Sequence, residues 1–456
     1  MSEFVADVCV VGGGPAGSSV AQRVAKLGYA VCLLERDNCR RPNVESLAPA
    51  TGSLLKTLGV LGEIRQAGFV RCEQTRLRWF DASDALQGGR TAVIVERDRF
   101  DRILLEAARR AGVSVLCPAR ALIPARRNGG WSIPVRTASG SITIQVRFLV
   151  DARGKRAALL PNGTSTVALS CRYREAGLPV PEMRVEACSH AWLWGAPLAD
   201  GSFAAVAFVD TSRCNGLARD RRSELYRSLL DRSRLFRPRA GVPLVGDVRV
   251  RDATPRVDEN PVTESSIKIG DRALSLDPLS SQGLQWAIRS GLQASAVINT
   301  VLSGGDKLAA IEFYRNMHCH SARLHCRLTR EVYASQSLYT SPFWSTRAGA
   351  SSSPPEMWTG PVLSPEIRLR LSGEARVMSL PIINGDMICR RTALSHPGLD
   401  QPVAWLDDIE LGPLLAILGA ERSAAEIISE WSRRMLPGNA ARVLYWLTRH
   451  GILVAS

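Results

Sequence analysis

A glycine-rich turn close to the N-terminus constrains the fold of this chain more than any other feature. The apolar run Val8–Val11 is followed by Gly12-Gly13-Gly14-Pro15-Ala16-Gly17, and a helical pattern begins at Ser18. Gly12 allows a tight turn, Gly14 lets a phosphate approach the backbone, and Gly17 lets the helix pack closely on the strand. The helix N-terminus offers free N–H groups to phosphates. This order predicts the start of a Rossmann βαβ unit.

A second strand and an acidic residue complete the unit. The apolar segment Ala30–Leu34 is followed by Glu35, whose carboxylate suits the hydroxyl groups of a ribose. A glycine-rich turn alone would be weak evidence, but strand, turn, helix, strand and acid together predict a dinucleotide site. These residues do not distinguish FAD from NAD.

Length and composition limit the class of protein. The 456 residues favour two or three domains, and 45% hydrophobic residues allow large cores. No apolar run is long enough to span a membrane, and the N-terminus lacks the pattern of a signal peptide, so we expect a cytoplasmic protein without a membrane partner. The net charge of +15 favours an acidic partner, with a solubilising basic surface as the alternative. Arginines are scattered along the chain, which argues against a nucleic-acid partner.

Further motifs resemble the glutathione-reductase-like flavoprotein monooxygenases. Gly270-Asp271 with Asp277–Gly283 is similar to the second FAD fingerprint of that family, Val95–Asp101 to its VxRxxFD segment, and Phe148–Gly154 to its D-A-x-G strand. The resemblance implies FAD as cofactor. It also implies a set of FAD contacts, namely Gly12, Gly14, Pro15, Ala16, Gly17, Glu35, Arg36, Ser46, Arg97, Ala121, Asp271, Pro278 and Gly283.

The resemblance predicts how the chain is divided. The expected fold is α/β, a glutathione-reductase-type FAD-binding Rossmann domain with an inserted antiparallel substrate sheet and a small C-terminal winged-helix-like domain. Residues 1–159 are the FAD-binding βαβ part, 160–256 the antiparallel sheet, and 257–340 the second FAD-binding segment with its helices. Residues 341–365, rich in Ser, Pro and Gly, are predicted to be a linker without helix.

The last segment, 366–456, has its own pattern of elements. Strands are predicted at Ile367–Leu371 and Ile382–Arg390, followed by three helices. Ser423 and Glu426 have the spacing of a capping box at the second helix, and the third helix is predicted at Asn439–Arg449. The layout resembles the winged-helix modules with which peptide-modifying enzymes hold a precursor peptide along a strand edge. It therefore predicts a polypeptide substrate, acidic in view of the chain's positive charge, and the alternative is that the segment is a lid or a dimerisation arm.

Three details are similar to the flavin-dependent halogenase branch of the family. They are Trp192-Leu193-Trp194-Gly195-Ala196-Pro197, the DPxxSxG form at Asp277–Gly283, and Glu45–Pro49. A half-buried hairpin with inward aromatic rings is the alternative for Trp192 and Trp194. The lysine and glutamate that tryptophan halogenases use are replaced here by Gln74 and Ser280. Glu73, Gln74, Trp192 and Trp194 are the candidates for lining the substrate pocket, and no catalytic base is predicted.

The combination predicts an FAD-dependent monooxygenase that uses O₂ to hydroxylate an aromatic ring. A halogenase-like flavoprotein with a peptide-binding tail resembles the flavoproteins that hydroxylate a tryptophan side chain in a polypeptide during maturation of a quinone cofactor. Two alternatives stay open: a halogenase acting on a small aromatic molecule, and a redox-responsive DNA-binding flavoprotein. No second dinucleotide loop occurs, so NAD(P)H must bind transiently or a separate flavin reductase must supply electrons.

A histidine- and cysteine-rich stretch, His318–Cys326, lies in a helical pattern. Two of its cysteines are seven residues apart, on one helix face, but the paired spacing of zinc sites is missing. Ordinary packing of a helix is the favoured interpretation, and no metal is predicted.

Overall fold

The computed structural model describes residues 3–36, 43–81, 84–88, 91–127, 129–155, 160–161, 164–174, 180–238, 242–349, 364–399, 401–407 and 409–456. None of the helices in these ranges is long and apolar enough to cross a membrane. The contacts divide the chain into two units, residues 1–303 with 314–351 and residues 304–313 with 352–456. The expected linker 341–365 thus falls partly in the first unit and partly outside the described ranges.

The first unit begins with the nucleotide-binding half. Its elements are β1 (Glu3–Val11), α1 (Pro15–Lys26), β2 (Val31–Leu34), β3 (Val44–Leu47), α2 (Thr51–Leu58), α3 (Leu61–Gln66), β4 (Val70–Cys72), β5 (Gln74–Arg78), β6 (Ala85–Gln87), β7 (Ala92–Glu96), α4 (Arg97–Arg110), β8 (Ser114–Leu116), β9 (Ala119–Ala121), β10 (Ala125–Arg127), β11 (Gly130–Thr137) and β12 (Gly140–Asp151). Helix α1 begins at Pro15, three residues before the predicted Ser18, because proline at the first helical position needs no N–H partner.

The remaining elements of this unit build the second sheet and the helices that follow. They are β13 (Leu160–Pro161), β14 (Thr166–Arg174), β15 (Glu182–Cys188), β16 (Ala191–Pro197), β17 (Ser202–Asp210), α5 (Arg219–Asp231), β18 (Leu244–Asp252), β19 (Arg256–Val257), β20 (Ser266–Lys268), β21 (Leu274–Ser275), α6 (Gly283–Leu302), α7 (Lys307–Ala334) and α8 (Pro342–Ala348). Residues 307–313 of α7 belong to the second unit. Helix α8 corrects the prediction of a linker without helix. The prediction relied on the serine- and proline-rich composition of this stretch and gave no weight to Phe343 and Trp344. Both side chains are almost fully buried and hold the helix in place.

A parallel core carries the nucleotide site. Strands β12, β1, β2 and β8 are adjacent and parallel, and β20 pairs in parallel with β12. The strands β9 and β10 both pair antiparallel with β11, which extends the sheet beyond β12. The core strand β2 is buried throughout, as expected for a strand covered on both faces. The carboxyl ends of β1, β2 and β12 meet at one edge of the sheet, where an α/β fold of this kind binds its ligand.

The second sheet has the strand order β18-β14-β17-β16-β15-β5-β6. All its pairs are antiparallel except β15 with β5. The antiparallel sheet predicted within residues 160–256 is present as strands β14 to β18, and β5 and β6 from the N-terminal half extend it. Its two faces bury different cores, one packed against α5 and one rich in aromatic rings.

The second unit has a core of its own. Its strands and helices are β22 (Arg368–Leu371), β23 (Arg376–Asn384), β24 (Met387–Ser395), β25 (Trp405–Leu406), β26 (Ile409–Glu410), α9 (Gly412–Leu415), β27 (Arg422–Ser423), α10 (Ala424–Trp431), α11 (Pro437–Arg449) and β28 (Leu453–Ala455). The single strand predicted at Ile382–Arg390 is wrong: the chain reverses at Gly385, whose φ of +59° favours a turn, and forms the hairpin β23–β24. The capping box of Ser423 and Glu426 is present. The winged-helix description stays a prediction.

Candidate flavin site

A large cavity lies at the carboxyl ends of the parallel strands. Its volume is about 820 Å³. Ten of the thirteen residues predicted to contact FAD line it, namely Gly12, Gly14, Pro15, Ala16, Glu35, Arg36, Arg97, Ala121, Asp271 and Gly283. Gly17, Ser46 and Pro278 are not among the lining residues. Segments far apart in sequence therefore meet at one site.

The glycine turn is shaped by close backbone contacts. Gly12 has a φ of +110°, and a Cβ on it would lie 2.5 Å from the carbonyl oxygen of Ala152. A Cβ on Gly17 would lie only 1.8 Å from the carbonyl oxygen of Gly12. Gly17 thus acts by packing α1 against the turn, which explains why it lies behind the cavity and not on its wall.

Glu35 lies at the end of β2 and holds the turn from the side. Its carboxylate accepts hydrogen bonds from the backbone N–H of Gly13 at 2.7 Å and of Arg36 at 2.9 Å. The side chain also lines the cavity. It is therefore placed to fix the turn and to receive a ribose hydroxyl.

Arg97 is the centre of an ion-pair cluster on the cavity wall. Its guanidinium contacts Asp101 at 2.9 and 3.0 Å and Glu45 at 2.6 Å. Burial works against the charge on Arg97, but Asp101 and Glu45 outweigh it and raise the pKa of the guanidinium above its ordinary value. The VxRxxFD segment predicts Arg97 at the cavity, and its partner Asp101 is the aspartate of the same segment, four residues further along α4.

The N-terminus of helix α6 also faces the cavity, which Gly283, Leu284 and Ala287 line. A second helix N-terminus at α1 means that two partial positive charges point into the same space. Burial raises the pKa of the Asp271 carboxyl, which lines the cavity as well. A buried carboxyl of this kind is suited to bonding hydroxyl groups of a ligand.

Four further arginines line the cavity and are not among the predicted FAD contacts, namely Arg120, Arg153, Arg251 and Arg272. Asp151 bridges two of them, accepting from Arg153 at 2.6 Å and from Arg272 at 2.8 Å. These contacts outweigh burial and lower the pKa of Asp151. Arg251 comes from β18 of the second sheet, so only the folded structure reveals its place.

Residues predicted to line the substrate pocket lie on opposite faces of the second sheet. Residues paired in register on neighbouring strands project to the same face. Gln74 pairs with Glu182, and Thr75 with Met183. Met183 packs into the aromatic core, as do Trp192 and Trp194, whereas Glu182 bonds to Arg76 on the opposite face. Gln74 therefore lies on the α5 face, away from the tryptophans, and Thr75 takes the inward position.

The other pocket candidates also differ from expectation. Glu73 is exposed at the turn before β5. Trp192 and Trp194 are 2% and 8% exposed, and the ring of Trp192 stacks on Phe208 with centroids 3.9 Å apart. The tryptophans thus belong to a packed core, as the alternative interpretation of a hairpin with inward rings predicts.

The histidine-rich stretch lies on α7. Within the described ranges, no group of three or more His, Cys, Asp or Glu side chains is placed to hold a metal ion. His318 is buried and bonds through its Nε2 to the carbonyl oxygen of Asp258 at 2.8 Å. Burial lowers the pKa of His325 to about 4, so this side chain is neutral at neutral pH.

Comparisons with known proteins agree with this geometry. Residues 5–163 match the protein family described as FAD binding domain. This part of the chain is therefore an FAD-binding domain, and the chain has an α/β fold similar to that of halogenase-like flavoproteins.

Three individual proteins are similar to this chain over most of its length. The structure of "peptidyl tryptophan dihydroxylase QhpG essential for tryptophylquinone cofactor biogenesis" is 26% identical, with a TM-score of 0.76, over 98% of this chain and 99% of that one. The structure of the myxobacterial chondrochloren halogenase CndH is 26% identical, with a TM-score of 0.70, over 75% of this chain and 86% of that one. Tryptophan 2-halogenase of Chondromyces crocatus is 28% identical over 68% of this chain. The chain spans only 64% of that last relative's length.

Proposed function

We propose that this protein is an FAD-dependent monooxygenase that hydroxylates a tryptophan side chain in a polypeptide during maturation of a quinone cofactor. The observation that carries the proposal is the end-to-end similarity to the peptidyl tryptophan dihydroxylase QhpG, combined with the cavity at the glycine turn. Reduced FAD, when bound, supplies the chemistry that activates O₂.

The cavity residues fit such a cofactor. The N-termini of α1 and α6 and the arginines on the wall suit a pyrophosphate, and Glu35 suits a ribose. We propose the ten cavity-lining residues named above as direct FAD contacts, with Gly17 in a packing role. NAD(P)H or a separate flavin reductase would supply the electrons.

The aromatic face of the second sheet is the part of the protein to which we assign a role beside that of the cofactor. Trp79, Trp192, Trp194, Phe343 and Trp344 are all nearly fully buried on one face of the second sheet. We propose that these packed rings keep water away from the substrate site. We assign no side chain as catalytic base.

Halogenation of an aromatic ring is the second candidate, because two of the relatives are halogenases. The strand that should carry a steering lysine has none: the inward positions are Thr75 and Leu77, and the outward Arg76 and Arg78 form ion pairs with Glu182 and Glu186. Ser280 bonds through its hydroxyl to the carbonyl oxygen of Asp277 at 2.9 Å and offers no charge. These contacts favour hydroxylation.

The experiment is a product analysis. Purified protein would be incubated with FAD, a chemical reductant, O₂ and excess bromide, together with acidic tryptophan-containing polypeptides or with free tryptophan. We expect mass spectrometry to show added oxygen on a polypeptide and no bromine on any product. A brominated product would show that the protein is a halogenase. Oxidation of free tryptophan alone would show that the substrate is not a polypeptide.

The hairpin β23–β24 is our candidate for holding the polypeptide. Val377, Met378 and Ile383 are 49%, 38% and 37% exposed on β23, and Arg376 lies beside them. An exposed strand with apolar and basic side chains suits an extended acidic peptide. We expect Val377→Glu to weaken polypeptide binding, measured by titration calorimetry, while Leu436→Glu, at a 73% exposed site on the same unit, leaves it unchanged.

A further inference from the structure

A buried hydrogen-bond chain links the second sheet to the loop that precedes α6. The Nε1 of Trp192 donates to the hydroxyl of Tyr333 at 3.2 Å, and this hydroxyl lies 3.3 Å from both carboxyl oxygens of Asp277. An indole N–H can only donate, so the oxygen of Tyr333 accepts, and its single hydrogen is available to Asp277. The hydrogen bonds therefore have one direction: Trp192 donates to Tyr333, and Tyr333 donates to Asp277.

Asp277 controls the shape of the loop. Its carboxylate accepts from the backbone N–H of Leu279 at 2.9 Å, and its carbonyl oxygen accepts from the hydroxyl of Ser280 at 2.9 Å. Ser281 then adopts a φ of +50°, in the left-handed region that non-glycine residues rarely enter. Two residues later, Gly283 begins α6 and lines the flavin cavity. The contact with Tyr333 thus anchors a strained turn that positions the helix N-terminus.

The surroundings of Asp277 make this contact important. A second cavity of about 150 Å³ borders Asp277 and Tyr333. Among the described residues, Ser275 Oγ, His325 Nδ1 and Arg347 Nε are buried at this cavity without a hydrogen-bond partner. Burial raises the pKa of the Asp277 carboxyl. Without the hydroxyl of Tyr333, no other side-chain donor within hydrogen-bonding distance in the described part of the chain would replace it.

We propose that Tyr333 is a positioning residue, which holds Asp277 and so fixes the Asp277–Gln282 loop and the start of α6 against the flavin. The role of Trp192 is to orient the Tyr333 hydroxyl, and not to touch substrate. This inference rests on the proposed binding of FAD in the large cavity, and it goes beyond the proposed function by giving two buried side chains a defined task.

The test compares Tyr333→Phe with Tyr226→Phe. Both tyrosines are nearly fully buried, and Tyr226 bonds to the carbonyl oxygen of Ala205 at 2.9 Å on the α5 face, so it controls for the loss of any buried hydroxyl. Amide hydrogen exchange would be followed in the peptide covering residues 277–283. We expect about a tenfold faster exchange there in Tyr333→Phe, since one anchoring hydrogen bond is lost, and no change there in Tyr226→Phe.

The absorption spectrum of bound FAD gives a readout that a purely structural role would not move. We expect Tyr333→Phe to shift the visible flavin bands while FAD affinity stays within about twofold, because Tyr333 does not line the flavin cavity. Asp277→Asn keeps a side-chain oxygen acceptor, so this variant should show nearly normal exchange and a nearly normal flavin spectrum. Trp192→Phe should have a smaller effect than Tyr333→Phe, because Tyr333 can still donate to Asp277.

These outcomes separate the inference from the proposed function. Normal FAD binding with unchanged exchange and unchanged flavin bands in Tyr333→Phe would overturn the positioning role. An equal effect of Tyr226→Phe or a larger effect of Trp192→Phe would also overturn it, since general packing would then account for the data. None of these measurements requires a substrate, so the failure of the hydroxylation assay would not be mistaken for failure here.

Discussion

The flavin cavity and the second sheet are built on different principles. The cavity depends on backbone: a glycine turn, two helix N-termini and strand ends, with Glu35 and Asp151 holding them in place. The sheet depends on side chains: stacked rings on one face, ion pairs on the other, and a strand register that decides which residues point where. We therefore expect a substitution of one of these glycines to abolish cofactor binding, whereas substitutions in the second sheet should have graded effects.

The largest effect is expected at Gly17. A methyl group there would lie 1.8 Å from the carbonyl oxygen of Gly12, so Gly17→Ala must displace either α1 or the turn. We expect the purified variant to contain no FAD, measured by absorbance after denaturation. Gly52→Ala is the matched control, because a Cβ at Gly52 meets no atom within 4 Å. If Gly17→Ala bound FAD normally, the backbone account of the cavity would be wrong.

A smaller effect on the same cavity is expected at Glu35. Glu35→Ala removes the acceptor of two backbone N–H groups, and a hydrogen bond to a charged group contributes about 1.5–3 kcal/mol. The dissociation constant for FAD should rise about tenfold to a hundredfold, measured by fluorescence titration of the apoprotein. Glu106→Ala, at a surface ion pair on α4, should leave it unchanged.

The two faces of β5 give the sharpest test of register. Thr75→Trp places a large ring against the aromatic core and should reduce product formation about tenfold or more, with FAD content retained. Gln74→Ala, on the α5 face, should change it less than about twofold. The reverse order of effects would mean that the inward residues of β5 have been placed wrongly.

The smallest effect is expected in the second unit. Ser423→Ala removes the hydroxyl that accepts from the backbone N–H of Glu426 at 3.2 Å. We expect a loss of about 1 kcal/mol in the free energy of unfolding of this unit, measured by denaturant titration, with unchanged FAD content. An effect on flavin binding would show that the two units depend on each other.

The contrast also explains what the sequence predicts and what it does not. Glycine spacing, Glu35 and the VxRxxFD segment are local patterns, and ten of the residues that line the cavity were predicted from such patterns and from the family resemblance. The orientation of Gln74 depends on pairing with β15, more than a hundred residues away in sequence. Arg251 and Tyr333 reach their sites only through long-range packing, and no local pattern marks either of them. The reversal at Gly385 was missed because apolar residues on both sides of it imitate one strand.

The origin of the added oxygen tests the central claim most directly. Enzyme with reduced FAD would be mixed with isotopically heavy O₂ in ordinary water, with bromide present, and the tryptophan-containing polypeptide would be examined by mass spectrometry. Our account predicts that the modified tryptophan carries the heavy oxygen isotope and no halogen. Oxygen derived from water, or a brominated ring, would contradict it.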